Sequence, residues 1–244
     1  MRSIRIYHPN SLALGEKTHL SPEASHHVVN VLRLKEQQSL TLFDGQNHEY
    51  TAIITAIQKK KVECLVNNVS DVSRESKLHL HLAQGISKGD RMTYSLQKAV
   101  ELGVSEYTPL WTQHAAFKWD ASLNEKKIQQ WQAIIVSACE QSGRNIIPKL
   151  NPITDYQTFL KQAQPPNRFI LEPMQGVHWQ KLHWSQDENN CTLLIGPEGG
   201  FSEQEIQSAI SNNYQGLTLG PRILRTETAV VTALSIFQMM KGDL

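Results

Sequence analysis

Cysteine is scarce in this chain of 244 residues, which contains only three. Cys64, Cys139 and Cys191 are widely spaced and form no C-x-x-C pair. That spacing argues against a disulfide framework and against a zinc site, so we expect no bound metal. The chain also lacks an apolar run of the roughly 20 residues that a membrane helix requires. Its N-terminal stretch, MRSIRIYHPN, lacks the apolar core of a signal peptide, and we therefore expect a cytoplasmic protein without a membrane partner.

Charge of either sign is in little excess, with 24 Lys and Arg against 23 Asp and Glu. Residues 1–77 carry ten basic and eight acidic side chains, and the remainder carries fourteen and fifteen. Composition therefore does not indicate a nucleic-acid partner, and any surface that binds one must be a local patch. Two common nucleotide motifs, G-x-x-x-x-G-K-[ST] and G-x-G-x-x-G, are absent as well.

The C-terminal part of the chain contains two strand–loop–helix units in tandem. The apolar runs Thr192–Ile195 and Leu217–Leu219 predict strands, and each is followed by a Gly-Pro pair. After the first, Ser202 and Glu205 have the S-x-x-E spacing of a capping box, which predicts a helix that begins there. Tandem units of this kind predict parallel strands whose loops emerge at one edge of the sheet, where ligands of such sheets bind.

The loop after the first strand contains Gly196, Gly199 and Gly200. Since glycine has no side chain, backbone N–H and C=O groups of this loop can approach a ligand closely. The alternative is that glycine and proline only mark the ends of strands.

Two segments of this region, GPEGGF and LGPRILRTETA, closely resemble the signature segments of the SPOUT class of RNA methyltransferases. The likeness is strongest to the 16S rRNA uridine-N3 methyltransferase family. It implies an α/β fold with a parallel sheet, in which the C-terminal half of the chain is folded into a deep trefoil knot. The same resemblance implies a small N-terminal PUA-like β-barrel. It also implies S-adenosylmethionine as cofactor, a homodimer, and small-subunit rRNA as partner, either free or within the 30S particle.

The sequence pattern before residue 72 predicts β structure. SLTLFDG, EYTAIITAI and KVECLVNNV are short runs rich in β-branched residues, and Ser21 is placed to cap a short helix before them. Closely spaced strands without long helices predict a small barrel. From residue 78 onward strands alternate with helices, which predicts a parallel sheet covered on both faces. The resemblance implies that the barrel is PUA-like and contacts RNA, and that the second domain is the methyltransferase. With it we predict an RNA-binding PUA-like barrel at 1–72 and the SPOUT methyltransferase domain at 73–244.

Candidate RNA contacts are basic or imidazole side chains. In the barrel they are Arg2, Arg5, His26, His27, Arg33 and Lys35, and in the methyltransferase domain they are Lys88, Arg144 and Asn145. Arg33 and Lys35 flank Leu34, so an extended segment would place both on one face. Phosphate binding needs several cations close together, which favours the set over any single residue. Two alternatives are a solvated basic edge and, for Arg144, a cation favoured by the dipole at a helix end.

The resemblance assigns the cofactor to the loops at the edge of the sheet. ILEP supplies the first wall, and main-chain groups of LLIGPEGG and LGPRIL read the adenine. The predicted contacts are Leu171, Glu172, Pro173, Leu194, Ile195, Gly196, Pro197, Glu198, Gly199, Gly200, Leu219, Gly220, Ile223, Leu224, Arg225, Thr226, Thr228 and Ala229.

Methylation of uridine N3 requires that the proton on this nitrogen leave. A catalyst can stabilise the resulting anion with a cation or accept the proton on a carboxylate. Arg225, Glu227 and Glu198 are the candidates for these roles. Glu227 and Thr226 also suit the first turn of a helix for structural reasons alone, and solvent can take the proton.

The sequence therefore predicts a homodimeric, S-adenosylmethionine-dependent methyltransferase of uridine N3 in 16S rRNA. One alternative is a knotted enzyme with another acceptor, such as a ribose 2′-hydroxyl of tRNA or 23S rRNA. The other is a non-catalytic RNA-binding factor for ribosome assembly.

Overall fold

A computed structural model describes residues 4–58, 61–116, 121–185 and 188–244, without the side chains of 121–123. The chain divides into two compact units. The first comprises Met1–Glu75 and Cys139–Ile147, and the second comprises Ser76–Ala138 and Pro148–Leu244. The first unit therefore extends a few residues past the predicted boundary at residue 72, and a later segment returns to it. Arg2 lies outside the described residues.

The first unit is built on a five-stranded sheet with the order β1-β3-β4-β5-β2. β1 pairs parallel with β3, and the other pairings are antiparallel. The strands are β1 (Arg5–Tyr7), β2 (Lys17–His19), β3 (Ser39–Phe43), β4 (His48–Gln58) and β5 (Lys61–Asp71). Alternate residues of β3 and β5, among them Leu40, Leu42, Val62 and Cys64, are fully buried in one core. The prediction of a small N-terminal β domain is confirmed.

A short helix, α1 (Pro22–His26), covers part of this core and continues into a π-helical turn, His27–Val31. The hydroxyl of Ser21 accepts a hydrogen bond from the Ala24 amide at 3.1 Å, as its position in the sequence predicts. The turn ends at Arg33, whose φ of 55° is left-handed, and the Leu34 amide donates to the Val28 carbonyl. A left-handed residue at this position is a common way to end a helix. The segment around Arg33 is therefore not extended, so the condition under which Arg33 and Lys35 would share one face is not met.

The second unit contains a sheet whose strands pair in parallel, in the order β11-β13-β10-β12-β6-β7-β8, with β9 beside β7. Its strands are β6 (His79–Gly85), β7 (Glu106–Trp111), β8 (Lys149–Leu150), β9 (Thr154–Asp155), β10 (Asn167–Leu171), β11 (Val177–His178), β12 (Asn190–Ile195) and β13 (Gln215–Thr218). Its helices are α2 (Gly89–Glu101), α3 (Ala121–Ser142, whose last residues belong to the first unit), α4 (Tyr156–Leu160), α5 (Glu203–Ser211) and α6 (Thr226–Lys241). A 3₁₀ turn spans Trp179–Lys181.

The central strand of this sheet, β12, lies between β10 and β6. Its residues Cys191–Ile195 are all buried, which is expected for a parallel strand covered on both faces. Ile170 pairs with Leu194, and Leu171 pairs with Leu217, so β10, β12 and β13 end at the same edge of the sheet. The predicted parallel α/β domain is confirmed, and both predicted C-terminal strands are present. No helix among the described residues has the length and apolar character that a membrane span requires.

Candidate active site

A cavity of about 430 Å³ lies at the carboxyl ends of β10 and β12, within the second unit. Its walls come from the end of β10, the loop between β12 and α5, and the loop that enters α6. Predicted cofactor contacts that line it are Leu171, Glu172, Pro173, Ile195, Gly196, Pro197, Glu198, Gly199, Gly200, Ile223, Leu224, Arg225, Thr226 and Ala229. The volume falls within the range of small-molecule sites, and both signature segments frame it.

Four predicted contacts are not part of this lining. Leu194 is fully buried in the hydrophobic core. Successive side chains of β12 point to opposite faces of the sheet, so Leu194 and Ile195 do not share a face. Leu219, Gly220 and Thr228 also lie outside the lining. Four residues that were not predicted from the sequence also line the cavity: Met174, Phe201, Ile206 and Arg91. The alternation of side chains along β12 is a signal that could have excluded Leu194.

The loop after β12 is fixed by its own backbone. The Gly200 amide donates to the Pro197 carbonyl at 2.9 Å, and Gly200 has a left-handed φ of 68°. A Cβ at Gly196 would lie 2.9 Å from the backbone of Gly200, and one at Gly199 would lie 2.9 Å from the His114 Cβ. The structure therefore explains Gly196 by the packing of the loop on itself and Gly199 by its packing against His114, and not only by access for a ligand.

Helix signals on either side of this loop complete its framework. Ser202 and Glu205 form the predicted capping box, in which each side chain accepts from the other residue's amide. The Thr226 hydroxyl donates to the Gly196 carbonyl at 3.3 Å, which ties the start of α6 to the loop. Thr226 is consequently not the N-cap that was considered as an alternative, since α6 is capped by Arg225 without a side-chain hydrogen bond.

Glu198, at the tip of the loop, is held by two partners from the start of α2. Its carboxylate accepts from the Lys88 amide at 2.9 Å and lies 3.1 Å from the Arg91 guanidinium. Burial raises the pKa of this carboxyl, but hydrogen bonds from Lys88, its own amide and Arg91 outweigh burial and lower the pKa overall. A paired carboxylate that stays ionised is a poor proton acceptor, so the geometry favours a positioning role for Glu198.

The other two catalytic candidates lie side by side at the start of α6. Arg225 is exposed at the cavity wall, where its guanidinium can meet an anion. Glu227 also lines the cavity, and its Oε2 atom is buried without a hydrogen-bond partner among the described residues. Lys88 is the exposed N-cap residue of α2, and its amide rather than its side chain contacts the loop.

A larger cleft, of about 970 Å³, lies at the opposite edge of the sheet, where β6, β7 and β12 begin. Several of its polar groups are already paired: Lys149 Nζ donates to Glu106 at 2.9 Å, and a His81 ring nitrogen lies 2.7 Å from Thr108 Oγ1. Ligands of parallel sheets bind beyond the carboxyl ends of the strands, so the smaller cavity is the candidate active site.

Three predicted RNA contacts take part in a buried polar network of the first unit. Arg5 pairs with Glu49 at 3.0 Å and also donates to Asn145, whose side chain donates to Glu49. Arg144 is 4% exposed and pairs with Glu75, and Asn145 is fully buried. These side chains hold the returning segment 139–147 to its own unit, and their burial does not favour the RNA contact, which stays a prediction.

The remaining candidates of the first unit lie at its surface. His26, Arg33 and Lys35 are exposed, and His27 is half-buried. Leu34, between the two cations, packs against the core, which leaves Arg33 and Lys35 on the solvent side. The prediction of a basic surface here stays a prediction.

The sequence is similar to those of known RNA methyltransferases over most of its length. A model of the RNA methyltransferase domain matches residues 74–238, and a model of the RNA methyltransferase PUA domain matches residues 20–67. Ribosomal RNA small subunit methyltransferase E of Buchnera aphidicola subsp. Schizaphis graminum is 36% identical over 98% of this chain and 97% of that protein. The protein of the same name from Bacillus subtilis is 30% identical over 92% of each chain.

Two solved structures are similar over the full length of both chains. A Legionella pneumophila protein in complex with bound SAM is 45% identical, with a TM-score of 0.96. Ribosomal RNA small subunit methyltransferase E from Neisseria gonorrhoeae, bound to S-adenosyl methionine, is 36% identical, with a TM-score of 0.91.

Proposed function

The chain belongs to the ribosomal RNA small subunit methyltransferase E family, and we propose that it transfers the methyl group of S-adenosylmethionine to N3 of a uridine in 16S rRNA. The observation that carries the proposal is the cavity of about 430 Å³ that GPEGGF and LGPRILRTETA frame together. Two proteins of this fold, similar over their whole length, carry the same cofactor.

The residues that line the cavity fit this cofactor. The glycine loop offers main-chain groups for the adenine, and Leu171, Ile195 and Leu224 offer apolar walls. The unpartnered carboxylate oxygen of Glu227 suits a ligand that carries positive charge. When bound, the cofactor supplies an electrophilic methyl group on a sulfonium. The protein's contribution is then chiefly to hold the acceptor base in line.

Arg225 is the residue best placed to act on the uracil. Its exposed guanidinium at the cavity wall can stabilise the negative charge that develops when N3 loses its proton. With Glu198 held by Arg91 and Lys88, we assign the proton to solvent rather than to that carboxylate.

We further propose that the enzyme works as a cytoplasmic homodimer on small-subunit rRNA, either free or within the 30S particle. Met174 and Ile223, which flank the cavity, are 80% and 81% exposed. A second protomer that covered these side chains would remove their apolar surface from water. The insertion of β12 between β10 and β6 is compatible with the proposed trefoil knot.

Mass spectrometry of rRNA nucleosides, from cells with and without the gene, tests the proposed reaction. Loss of 3-methyluridine from the small-subunit RNA alone is expected. Loss of a 2′-O-methyl nucleoside instead would keep the cofactor and change the acceptor, whereas an unchanged set of nucleosides would favour a non-catalytic RNA-binding factor. Transfer of labelled methyl to purified 30S subunits, compared with free 16S rRNA, would identify the form of the substrate.

A further inference from the structure

Three carboxylates line the cavity, and two of them have partners in the protein. Glu198 is held by Arg91 and the Lys88 amide, and Glu172 accepts from the Gln175 amide at 2.8 Å. Glu227 differs, because its Oε2 atom is buried and has no hydrogen-bond partner among the described residues.

A buried carboxylate oxygen without a partner is unfavourable unless a charge or donor compensates for it. The positive end of the α6 dipole, in whose first turn Glu227 lies, compensates only in part. The same side chain lines the cavity, so a cation of a ligand bound there can compensate for the charge of this carboxylate.

We propose that Glu227 is the anionic partner of the positive charge on S-adenosylmethionine, and therefore a cofactor-binding residue rather than a proton acceptor. This inference rests on the proposed cofactor. The ligand offers two cations, the sulfonium and the α-ammonium of its methionine part. In either case Glu227 is engaged by the cofactor while the base is methylated, which leaves Arg225 to act on the uracil and solvent to take the proton.

Isothermal titration calorimetry on the full-length protein, with wild type and Glu227→Gln, tests this assignment. The ligands are S-adenosylmethionine, S-adenosylhomocysteine, which lacks the sulfonium, and 5′-methylthioadenosine, which lacks both cations. Because hydrogen bonds to charged groups are the strong ones, we expect Glu227→Gln to weaken S-adenosylmethionine binding about tenfold or more. Binding of 5′-methylthioadenosine should stay within about twofold of wild type, since that ligand presents no cation to the carboxylate.

S-adenosylhomocysteine identifies the cation. If its binding weakens as much as that of S-adenosylmethionine, the α-ammonium is the partner, and if it is unchanged, the sulfonium is. Either result supports the proposal. Equal weakening of all three ligands would overturn it, because Glu227 would then only shape the loop. Unchanged binding of S-adenosylmethionine would overturn it as well.

Glu203→Gln is the matched control, since Glu203 is an exposed carboxylate in the first turn of α5, outside the cavity lining. It should leave all three affinities unchanged. Thermal unfolding of both variants shows whether they are folded. Wild-type protein that binds none of the ligands would contradict the cofactor and this inference together. Protein that binds them but methylates no 16S rRNA would contradict only the proposed function.

Discussion

Arg91 of α2 and Glu198 of the GPEGGF loop lie 3.1 Å apart, although 107 positions separate them along the chain. Their side chains are 43% and 24% exposed, so solvent screens the pair in part. Both residues line the cavity, and the Lys88 amide donates to the same carboxylate. The start of α2 therefore fixes the tip of the loop on which the proposed cofactor rests.

Arg91→Ala should weaken binding of S-adenosylmethionine by a modest factor. A partly exposed ion pair contributes up to about 1 kcal/mol, so we expect a loss of affinity of about two- to fivefold, measured by calorimetry at low salt. The difference from wild type should shrink as salt is added. Lys98→Ala is the control, because Lys98 pairs with Glu101 on the same helix but does not line the cavity. Equal losses in both variants would contradict the role given to Arg91.

Gly199→Ala should weaken cofactor binding because the new Cβ would lie 2.9 Å from the His114 Cβ and displace the loop. A second change, His114→Gly, removes the Cβ of His114 together with the rest of its side chain and gives the loop room to settle. We therefore expect the double variant to recover a substantial part of the affinity, again measured by calorimetry. If the new methyl group instead blocked the cofactor directly, the second change would restore nothing. Gly200→Ala meets no atom within 4 Å and tests backbone strain separately, at a φ of 68°.

Stability should fall in mild acid because of His81 in β6. Burial is the main reason that the pKa of His81 falls to about 4, although nearby Glu106 raises it and Lys149 and His79 lower it. The unfolded chain binds this proton more readily, with a pKa near 6.5. His81 is neutral in both states above about pH 6.5 and costs no stability there. As the pH falls from 6.5 toward 4, the unfolded chain binds the proton and the folded protein does not, so stability falls by up to about 1.4 kcal/mol per pH unit.

Urea denaturation between about pH 5 and about pH 7 measures this dependence, and His81→Gln should flatten it. His183→Gln is the control, since His183 is exposed in the same unit and is not among the groups that shift the pKa of His81. It should retain the wild-type slope. A slope that persists in His81→Gln would assign the acid sensitivity to another group. Burial raises the pKa of Glu106, but Asn151, His81 and Lys149 outweigh burial and lower this pKa overall. Protonation of the Glu106 carboxyl therefore reduces the stability of the fold only below pH 4.5.

Local features of the sequence were sufficient to predict much of the fold. The strand before GPEGGF and the Ser202–Glu205 capping box are each encoded by neighbouring residues. Partners distant in sequence were not predictable in this way. Arg144 and Glu75 are 69 positions apart, and nothing near either residue indicates the pair. The basic side chain of Arg144 therefore indicated an RNA contact in the sequence, and only the tertiary structure shows that it pairs with Glu75. The same limit explains why Arg91 was missed.

The exposed cation of Arg33 gives the clearest test of RNA binding by the first unit. Arg33 has a left-handed φ of 55°, which asparagine tolerates, so Arg33→Asn removes the charge and keeps the backbone. We expect weaker binding to 16S rRNA and unchanged cofactor affinity. The slope of log affinity against log salt concentration should decrease by about one, which corresponds to the loss of one phosphate contact. Arg144→Ala should instead lower stability by about 3–5 kcal/mol, because Glu75 is left without this buried partner. An unchanged salt dependence for Arg33→Asn would remove this residue from the RNA surface.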